Sequence, residues 1–378
     1  MGQKSESRAW RVLVVNPGST STKVGLFEGV EEVFSANVAH DAQKLREIGD
    51  VSAQLPYRRD MILDILDQNK VDLANVDAFV GRGGGLMPCE GGVYQIDEQL
   101  LHDARIGANG VQHPAQLGSQ LAHEFARFSG NKPAFVVNPP DTDEICDDAR
   151  MTGIRGVYRN VHLHALNLKE TAIRHAATLG KRYEDCDFVV CHIGGGISIS
   201  AHEHGRMIDG YDIVGGEGPM TPTRCGAVPV TEAFAYLEEH GINTTRRLCQ
   251  RSGGFADLLG TSDALEVSRR AEAGDEAASR AWSAMEYQIV KYIGSMATVL
   301  HGSVDGILLG GGMVHNQGLV DYIREGCGWI APVTAYPGEF ELEAMAAGAV
   351  RALSGKEEVK HYTGRPVFSG FACFDERA

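Results

Sequence analysis

The chain has 378 residues, which at roughly 150 residues per domain predicts two domains. Asp and Glu number 50 against 35 Lys and Arg, a net charge of −15; a binder of nucleic acid or an anionic membrane surface needs a basic face, and nothing here suggests one. Hydrophobic residues make up 43%, enough for two cores, and the outlying figure is 46 Gly against 13 Pro. The glycines do not form low-complexity tracts; many sit in short runs directly after apolar runs. An acidic, Gly-rich, two-domain chain suits an enzyme of phosphorylated ligands, with a cation mediating.

Met1 to Arg11 is polar and lacks an apolar core, so no signal peptide is expected. No apolar stretch approaches the roughly 18 residues needed to span a bilayer. The eight cysteines, at 89, 146, 186, 191, 225, 249, 327 and 373, show no CxxC and no paired metal-ligand spacing. Scattered thiols suit a reducing cytoplasm. Cys191 beside His192 reads as a strand-end thiol before it reads as a metal site.

In chain order, Val12 to Val15 predicts a buried strand. The polar run Asn16 to Thr22 breaks it as a turn, and Lys23 to Phe27 resumes a strand, so the first unit is a hairpin. Met61 to Leu66 places Ile62, Ile65 and Leu66 on one helical face. Ala78 to Val80 is a strand that ends in Gly81-Arg82-Gly83-Gly84-Gly85. Leu117, Leu121 and Phe125 recur every four residues, which marks a helix. Phe135 to Val137 is a strand stopped by Asn138-Pro139-Pro140. Val157 to Leu179 contains no Gly or Pro and predicts a helix after its first turn. Phe188 to Cys191 is a strand followed by His192-Ile193-Gly194-Gly195-Gly196, and Ile197 to Ala201 returns as a second hairpin arm. Met285, Ile289, Ile293, Met296 and Leu300 form a helical stripe. Ile307 to Leu309 runs into Gly310-Gly311-Gly312, and Leu342 to Leu353 predicts a last helix rich in small residues.

Alternating strands and helices argue an α/β fold. Val14-Val15-Asn16-Pro17-Gly18 can be laid on Val190-Cys191-His192-Ile193-Gly194, 176 residues later. In both places a strand, a polar Gly-led turn and a returning strand follow, so two similar domains facing a cleft are expected.

Gly18-Ser19-Thr20-Ser21-Thr22-Lys23 is not a Walker A loop, because it lacks the second Gly and a strand follows in place of a helix. A hairpin turn still offers phosphate its backbone N–H groups, the hydroxyls of Ser19, Thr20 and Ser21, and the charge of Lys23. Asn16 can orient a metal-bound water; an ordinary Ser/Thr turn is the other reading. Three Gly triplets at strand ends allow close main-chain approach to a polyphosphate held between two domains. Arg82 and Arg224 lie in tight Gly/Pro loops, where a stiff guanidinium can take carboxylate or phosphate, or close a plain ion pair. His164 and His192 are either structural or donors to transferring oxygens.

These segments together resemble the acetate, propionate and butyrate kinases. Val15 to Lys23 is similar to the first signature of that family. The butyrate kinase branch is indicated by Val80 to Gly84, Gly91 to Tyr94, His164 to Asn167, His192 to Gly196, Asp209 through Arg224-Cys225-Gly226, and Tyr336 to Glu339. The resemblance runs from about Val12 to Tyr362. It implies two ribonuclease-H-like domains of the acetate and sugar kinase/Hsp70/actin fold around an ATP cleft. Residues 1–142 with a returning 342–378 would form the N-terminal domain, and 143–341 the nucleotide-binding domain. The implied reaction is in-line, magnesium-dependent phosphoryl transfer between ATP and a short-chain carboxylate, giving ADP and an acyl phosphate.

By the same resemblance, Arg82 would bind the carboxylate and Arg224 the transferring phosphoryl group, with His164 stabilising it. His192 and Gly194, Gly195 and Gly196 would contact nucleotide phosphates. Asn16, Ser19, Ser21 and Lys23 would form the turn beside the phosphoryl group and metal. Gly310, Gly311 and Gly312 would lie against the adenosine, Gly84 and Leu163 would border the acyl pocket, and Glu339 or Glu341 would help Asn16 hold Mg²⁺. Two positions depart from the family pattern: Asn138 stands where an Asp is usual, and Leu163 where a Phe is usual. Asp141 and Asp143 are nearby carboxylates. The departure at 138 leaves a second expectation, a catalytically weakened nucleotide-binding regulator on the same fold. A homodimer or larger homo-oligomer is expected.

Overall fold

The computed structural model describes residues 9–375, so most of the polar N-terminal segment and the last three residues of the expected C-terminal return lie outside the described residues. The chain clusters into two compact units. Unit 1 runs to Thr142 and resumes over Phe340–Ser369; unit 2 covers Asp143–Glu339 and takes the tail from Gly370.

Unit 1 is built on a seven-stranded sheet. Its strands are β1 (Arg11–Pro17), β2 (Ser21–Glu28), β3 (Glu31–Ala39), β4 (Ala78–Gly81), β5 (Val93–Gln95), β6 (Ala134–Val137) and, from the end of the chain, β12 (Val359–Lys360). The order is β12-β5-β6-β4-β1-β2-β3. Unit 2 has β7 (Phe188–Ile193), β8 (Ile197–Glu203), β9 (Arg206–Asp209), β10 (Gly306–Gly311) and β11 (Val333–Pro337), in the order β11-β10-β7-β8-β9. In each unit the first three strands form an antiparallel meander, and the first strand then pairs in parallel with the fourth. The fourth pairs in parallel with the next strand outward, β6 in unit 1 and β11 in unit 2. The same five-strand motif therefore occurs twice.

The central strands are continuous apolar runs because both faces are covered. Val12, Leu13, Val14 and Val15 have no exposed surface, and neither do Val189 and Val190. In unit 1, helix Leu117–Phe128 buries Leu117, Leu121 and Phe125, and helix Glu341–Leu353 packs a face of alanines on β1 and β6. In unit 2, helix Glu276–Val299 buries Met285, Ile289, Ile293 and Met296 against the sheet.

Three local expectations are corrected. The helix expected after the first turn of Val157 to Leu179 begins only at Ala165 and ends at Thr178. Residues 157–164 contain no helix breaker, but their side chains are committed elsewhere. Arg159 reaches Asp209 at 3.2 Å and Glu217 at 3.1 Å, and His162 meets Asp212 at 3.0 Å. Asn16 and Pro17 belong to β1, paired with Lys23 and Thr22, so the first turn shortens to three residues. Gly310 and Gly311 lie inside β10, where Gly310 is registered between His192 and Tyr336. An interior strand needs only main-chain groups to continue its ladder, so glycine does not end it.

Candidate active site

In unit 1, the Gly18 N–H donates to the Ser21 carbonyl at 2.7 Å and closes the β1–β2 turn, leaving Ser19 and Thr20 exposed. Ser21 is half-buried. Lys23 is exposed and sits opposite Asn16 in the ladder, so both side chains leave the same face. Asn16 Nδ2 donates to Glu341 Oε2 at 2.6 Å. Glu341 begins helix Glu341–Leu353, where a carboxylate also suits the positive end of the helix.

Beneath this turn lies Arg58, 0% exposed. Its Nη1 donates to the Gly18 carbonyl at 2.9 Å and to Thr22 Oγ1 at 3.1 Å, and its Nε and Nη2 both donate to Gln54 Oε1. Burial lowers its pKa to about 10. Thr22 Oγ1 also meets His40 Nε2 at 2.8 Å, and burial, with Arg58 adding, lowers the His40 pKa to about 4. The imidazole is thus neutral at pH 7. Arg58 and His40 were not among the residues expected at the site.

Arg82 follows β4 and is buried, with Nη1 donating to the Asn138 carbonyl at 3.2 Å. The backbone on either side of it is pinned. A Cβ on Gly81 would lie 2.1 Å from the Gly118 carbonyl oxygen, and one on Gly118 would lie 2.2 Å from that of Arg82. Burial pulls the guanidinium below its ordinary pKa, and the fields of Glu341 and Asp141 oppose that. Among the described residues, no carboxylate forms an ion pair with Arg82. Asn138 sits at φ +38°, a left-handed conformation that Asn tolerates better than most residues. Its Oδ1 accepts from Gly92 N–H at 2.8 Å, and its own N–H donates to the Gly92 carbonyl. Asp143 is paired bidentately with Arg150 at 2.8 Å, and Asp141 accepts from Asn109, so both nearby carboxylates have structural work of their own. Gly84 lies against Ala115 and Gln116.

In unit 2, Gly194, Gly195 and Gly196 make the β7–β8 turn, closed by Gly194 N–H to the Gly196 carbonyl at 3.1 Å. The hydroxyls of Thr221 and Thr223 both donate to the Gly195 carbonyl at 2.9 Å. Arg224 Nη1 lies 1.8 Å from where a Cβ on Gly196 would be, so only glycine admits the guanidinium there. Arg224 Nε donates to the Gln250 carbonyl at 3.2 Å, while its Nη1 is buried with no hydrogen-bond partner. Burial lowers this guanidinium's pKa too, with Asp212 opposing.

His164 and His192 stack with ring centroids 4.1 Å apart. His164 Nδ1 meets Ser198 Oγ at 2.8 Å, and His192 Nε2 is 3.8 Å from Glu339 Oε1. A cavity of about 840 Å³ opens beside them, lined by Gly194, Gly195, Gly312, Asn316 and Glu339 among others. Of the third glycine triplet, Gly312 alone lines it; Gly311 is tied to Gly338 by two reciprocal main-chain hydrogen bonds.

Leu163 is 5% exposed and packs in the unit 2 core against Gly210. Asn16, Ser19, Ser21 and Lys23 are brought together with Glu341 and, separately, Arg82 with Asn138. His164, His192, the Gly194–Gly196 turn and Arg224 are brought together with Glu339. Among the described residues, no three His, Cys, Asp or Glu side chains converge as a metal site.

Each unit carries the same strand motif, a hairpin turn at the same place in it, and an arginine with no carboxylate paired to it among the described residues. The family model of the acetokinase family matches residues 155–325. A curated relative described as a probable butyrate kinase, from Clostridium botulinum (strain Alaska E43 / Type E3), is 39% identical over 94% of this chain and 100% of its own length. The acetate kinase of Porphyromonas gingivalis has a TM-score of 0.74 at 19% identity, covering 92% of this chain and 100% of that one. A propionate kinase from Francisella tularensis subsp. tularensis has a TM-score of 0.68 at 17% identity, covering 90% and 98%. These two structures establish the fold. The chain belongs to the acetokinase family and is a carboxylate phosphotransferase.

Proposed function

We propose that the protein transfers the γ-phosphoryl group of ATP to butyrate or a similar short or branched acid, forming ADP and an acyl phosphate. The observation that carries this reading is Arg82. A buried guanidinium held by one main-chain carbonyl, with no acid paired to it, is costly until an anion arrives. A carboxylate substrate offsets that cost with charge-assisted hydrogen bonds.

The nucleophile is already ionised, so no strong base is required. One carboxylate oxygen attacks the γ-phosphorus in line, and negative charge spreads over the equatorial oxygens. Arg82 holds the carboxylate. Arg224 brings an unpaired Nη1 donor to the transferring group, and His164, oriented by Ser198, adds another. His192 and the Gly194–Gly196 turn receive nucleotide phosphates, and the cavity lined by Gly312 takes the adenosine. Ser19, Ser21 and Lys23 present hydroxyls and charge to the phosphoryl group.

Asn16 and Glu341 supply hard oxygen donors on one face, which suits Mg²⁺ held through water. When bound, the ion neutralises phosphate charge. Glu339 belongs with His192. Asn138 is a positioning residue that sets Arg82 through its main-chain carbonyl. Gly84 and Leu163 are the candidates at the acyl pocket. No observation favours the weakened regulator.

The same reading includes a cytoplasmic location and a homo-oligomer. Free thiols at all eight cysteines and the absence of any described helix long and apolar enough to cross a membrane support the first. Helix Val230–His240, with no buried residue and Phe234 60% exposed, supports the second.

The test is hydroxamate capture of acyl phosphate from C2–C6 acids at saturating Mg-ATP. Butyrate or a close analogue is expected to turn over fastest. Purified protein that binds ATP yet forms no acyl phosphate from any acid would refute the proposal.

A further inference from the structure

Cys225 adjoins Arg224, and its thiol donates toward Cys249 across an Sγ–Sγ distance of 3.9 Å. The two thiols come from segments already joined by main-chain hydrogen bonds. Cys225 N–H donates to the Leu248 carbonyl at 3.0 Å, and Gly253 N–H to the Thr223 carbonyl at 3.1 Å. The backbone therefore holds the two segments that carry the thiols side by side. Both thiols line a cavity of about 580 Å³ together with Val228, Val230, Tyr236 and Leu248. That cavity gives a small oxidant access and lies among residues the phosphoryl-transfer reading does not use.

We propose that Cys225 and Cys249 form an oxidation site for a hydroperoxide, and that closing their disulfide withdraws Arg224 from the phosphoryl group. The inference rests on the proposed function only for its effect on turnover. The hydrogen bond from Cys225 lowers the Cys249 pKa to about 7, which makes Cys249 the attacking thiolate. It attacks the distal peroxide oxygen, the O–O bond breaks, and the alcohol or water leaves with a proton. The Cys249 sulfenic acid is then attacked by the Cys225 sulfur, forming the S–S bond and releasing water. Two thiols lose two electrons, and the hydroperoxide gains them.

An S–S bond of about 2.05 Å draws the two sulfur atoms nearly 2 Å closer than their present contact. Arg224 has little slack for that movement. Its Nη1 fills the space left by the missing Cβ of Gly196, and its Nε is tied to Gln250, the residue after Cys249. A displacement of about an ångström in a group that positions a reacting phosphate can cost on the order of 10²-fold in rate.

The experiment treats reduced, full-length protein with stoichiometric hydrogen peroxide and blocks residual thiols under denaturing conditions. A peptide pair linked through Cys225 and Cys249 is expected by mass spectrometry. Turnover and ATP affinity should both be measured, with turnover falling at least about tenfold and returning with dithiothreitol. The Cys249→Ser protein should keep its turnover through the same treatment, and Cys225→Ser should stop at a dimedone-reactive sulfenic acid on Cys249. Absence of the linked peptide overturns the site, and a linked peptide with unchanged turnover and ATP affinity overturns its effect on Arg224. A reduced protein without turnover would count against the kinase reading, and the linked peptide and ATP affinity would still decide this one.

Discussion

The β1–β2 and β7–β8 turns occupy the same place in the duplicated motif and are built in opposite ways. The first carries its donors on side chains, Ser19, Ser21 and Lys23, and is held from beneath by the buried Arg58. The second has no side chains at all, and its brace comes from outside, through the Thr221 and Thr223 hydroxyls on the Gly195 carbonyl. One topology thus supports a turn that presents charge and hydroxyls, and another that presents bare backbone and leaves room for a neighbouring guanidinium. The lesson is that the brace is chosen by what the turn must leave free.

The comparison is broken most severely by removing the guanidinium served by each unit. Arg82→Ala and Arg224→Ala are each expected to lower turnover by at least about 10²-fold. Arg82→Ala should also raise the KM for the acid, while Arg224→Ala should act chiefly on kcat, as steady-state kinetics would show. Near-normal turnover of either protein contradicts its role.

A smaller loss tests the bare turn. Gly196→Ala places a methyl in the space of Arg224 Nη1, and kcat should fall about 10- to 100-fold with the melting temperature little changed. An equally active Gly196→Ala protein would show that Arg224 has room to move.

Arg58→Met removes the brace of the other turn and leaves the Gly18 carbonyl without its buried donor. The loss of a buried charge-assisted hydrogen bond should cost about 1.5–3 kcal/mol, read from denaturant unfolding, and should raise the KM for Mg-ATP. An unchanged KM would confine Arg58 to a structural role.

The least effect concerns pH. His40 has a folded pKa of about 4 against an ordinary 6.5, so the folded state prefers the neutral ring. Its contribution is complete above about pH 6.5 and is lost as pH falls toward 4. The melting temperature of the native protein should therefore fall more steeply across that window than that of His40→Gln; parallel curves would deny the linkage.

Much of the fold was legible because its central strands are unbroken apolar runs and its helices keep a regular stripe. The duplicated hairpin could be aligned by eye from Val14 and Val190. Arg82 and Arg224 stood out because they lie in tight glycine loops, whereas His164 and His192 were singled out of fourteen histidines only by the family resemblance. Arg58 left a weaker signal: Gln54, Arg58, Ile62 and Leu66 share a four-residue spacing, so a cation occupies the buried stripe of helix Leu55–Gln68. Polar residues in an apolar stripe are a sign of a hidden hydrogen-bond target, here a carbonyl forty residues away. Leu163 could not be placed from its neighbours, since its packing against Gly210 is a contact distant in sequence. The late start of the helix at Ala165 was hidden for a similar reason: Arg159 is claimed by acids that follow it by fifty residues and more.

Unit 1 is discontinuous, and that orders its birth on the ribosome. Helix Glu341–Leu353, which packs on β1, and the edge strand β12 complete it but are made only after unit 2's sheet. At roughly 5–20 residues per second, synthesis of the stretch Asp143–Glu339 takes on the order of ten to forty seconds. During that interval Val12–Val15 and their neighbours wait without the helix that will cover them, while unit 2 acquires its whole sheet. The sheet begun first is therefore the later of the two to be covered, and the exposed β1 face is where a chaperone has the longest opportunity to bind.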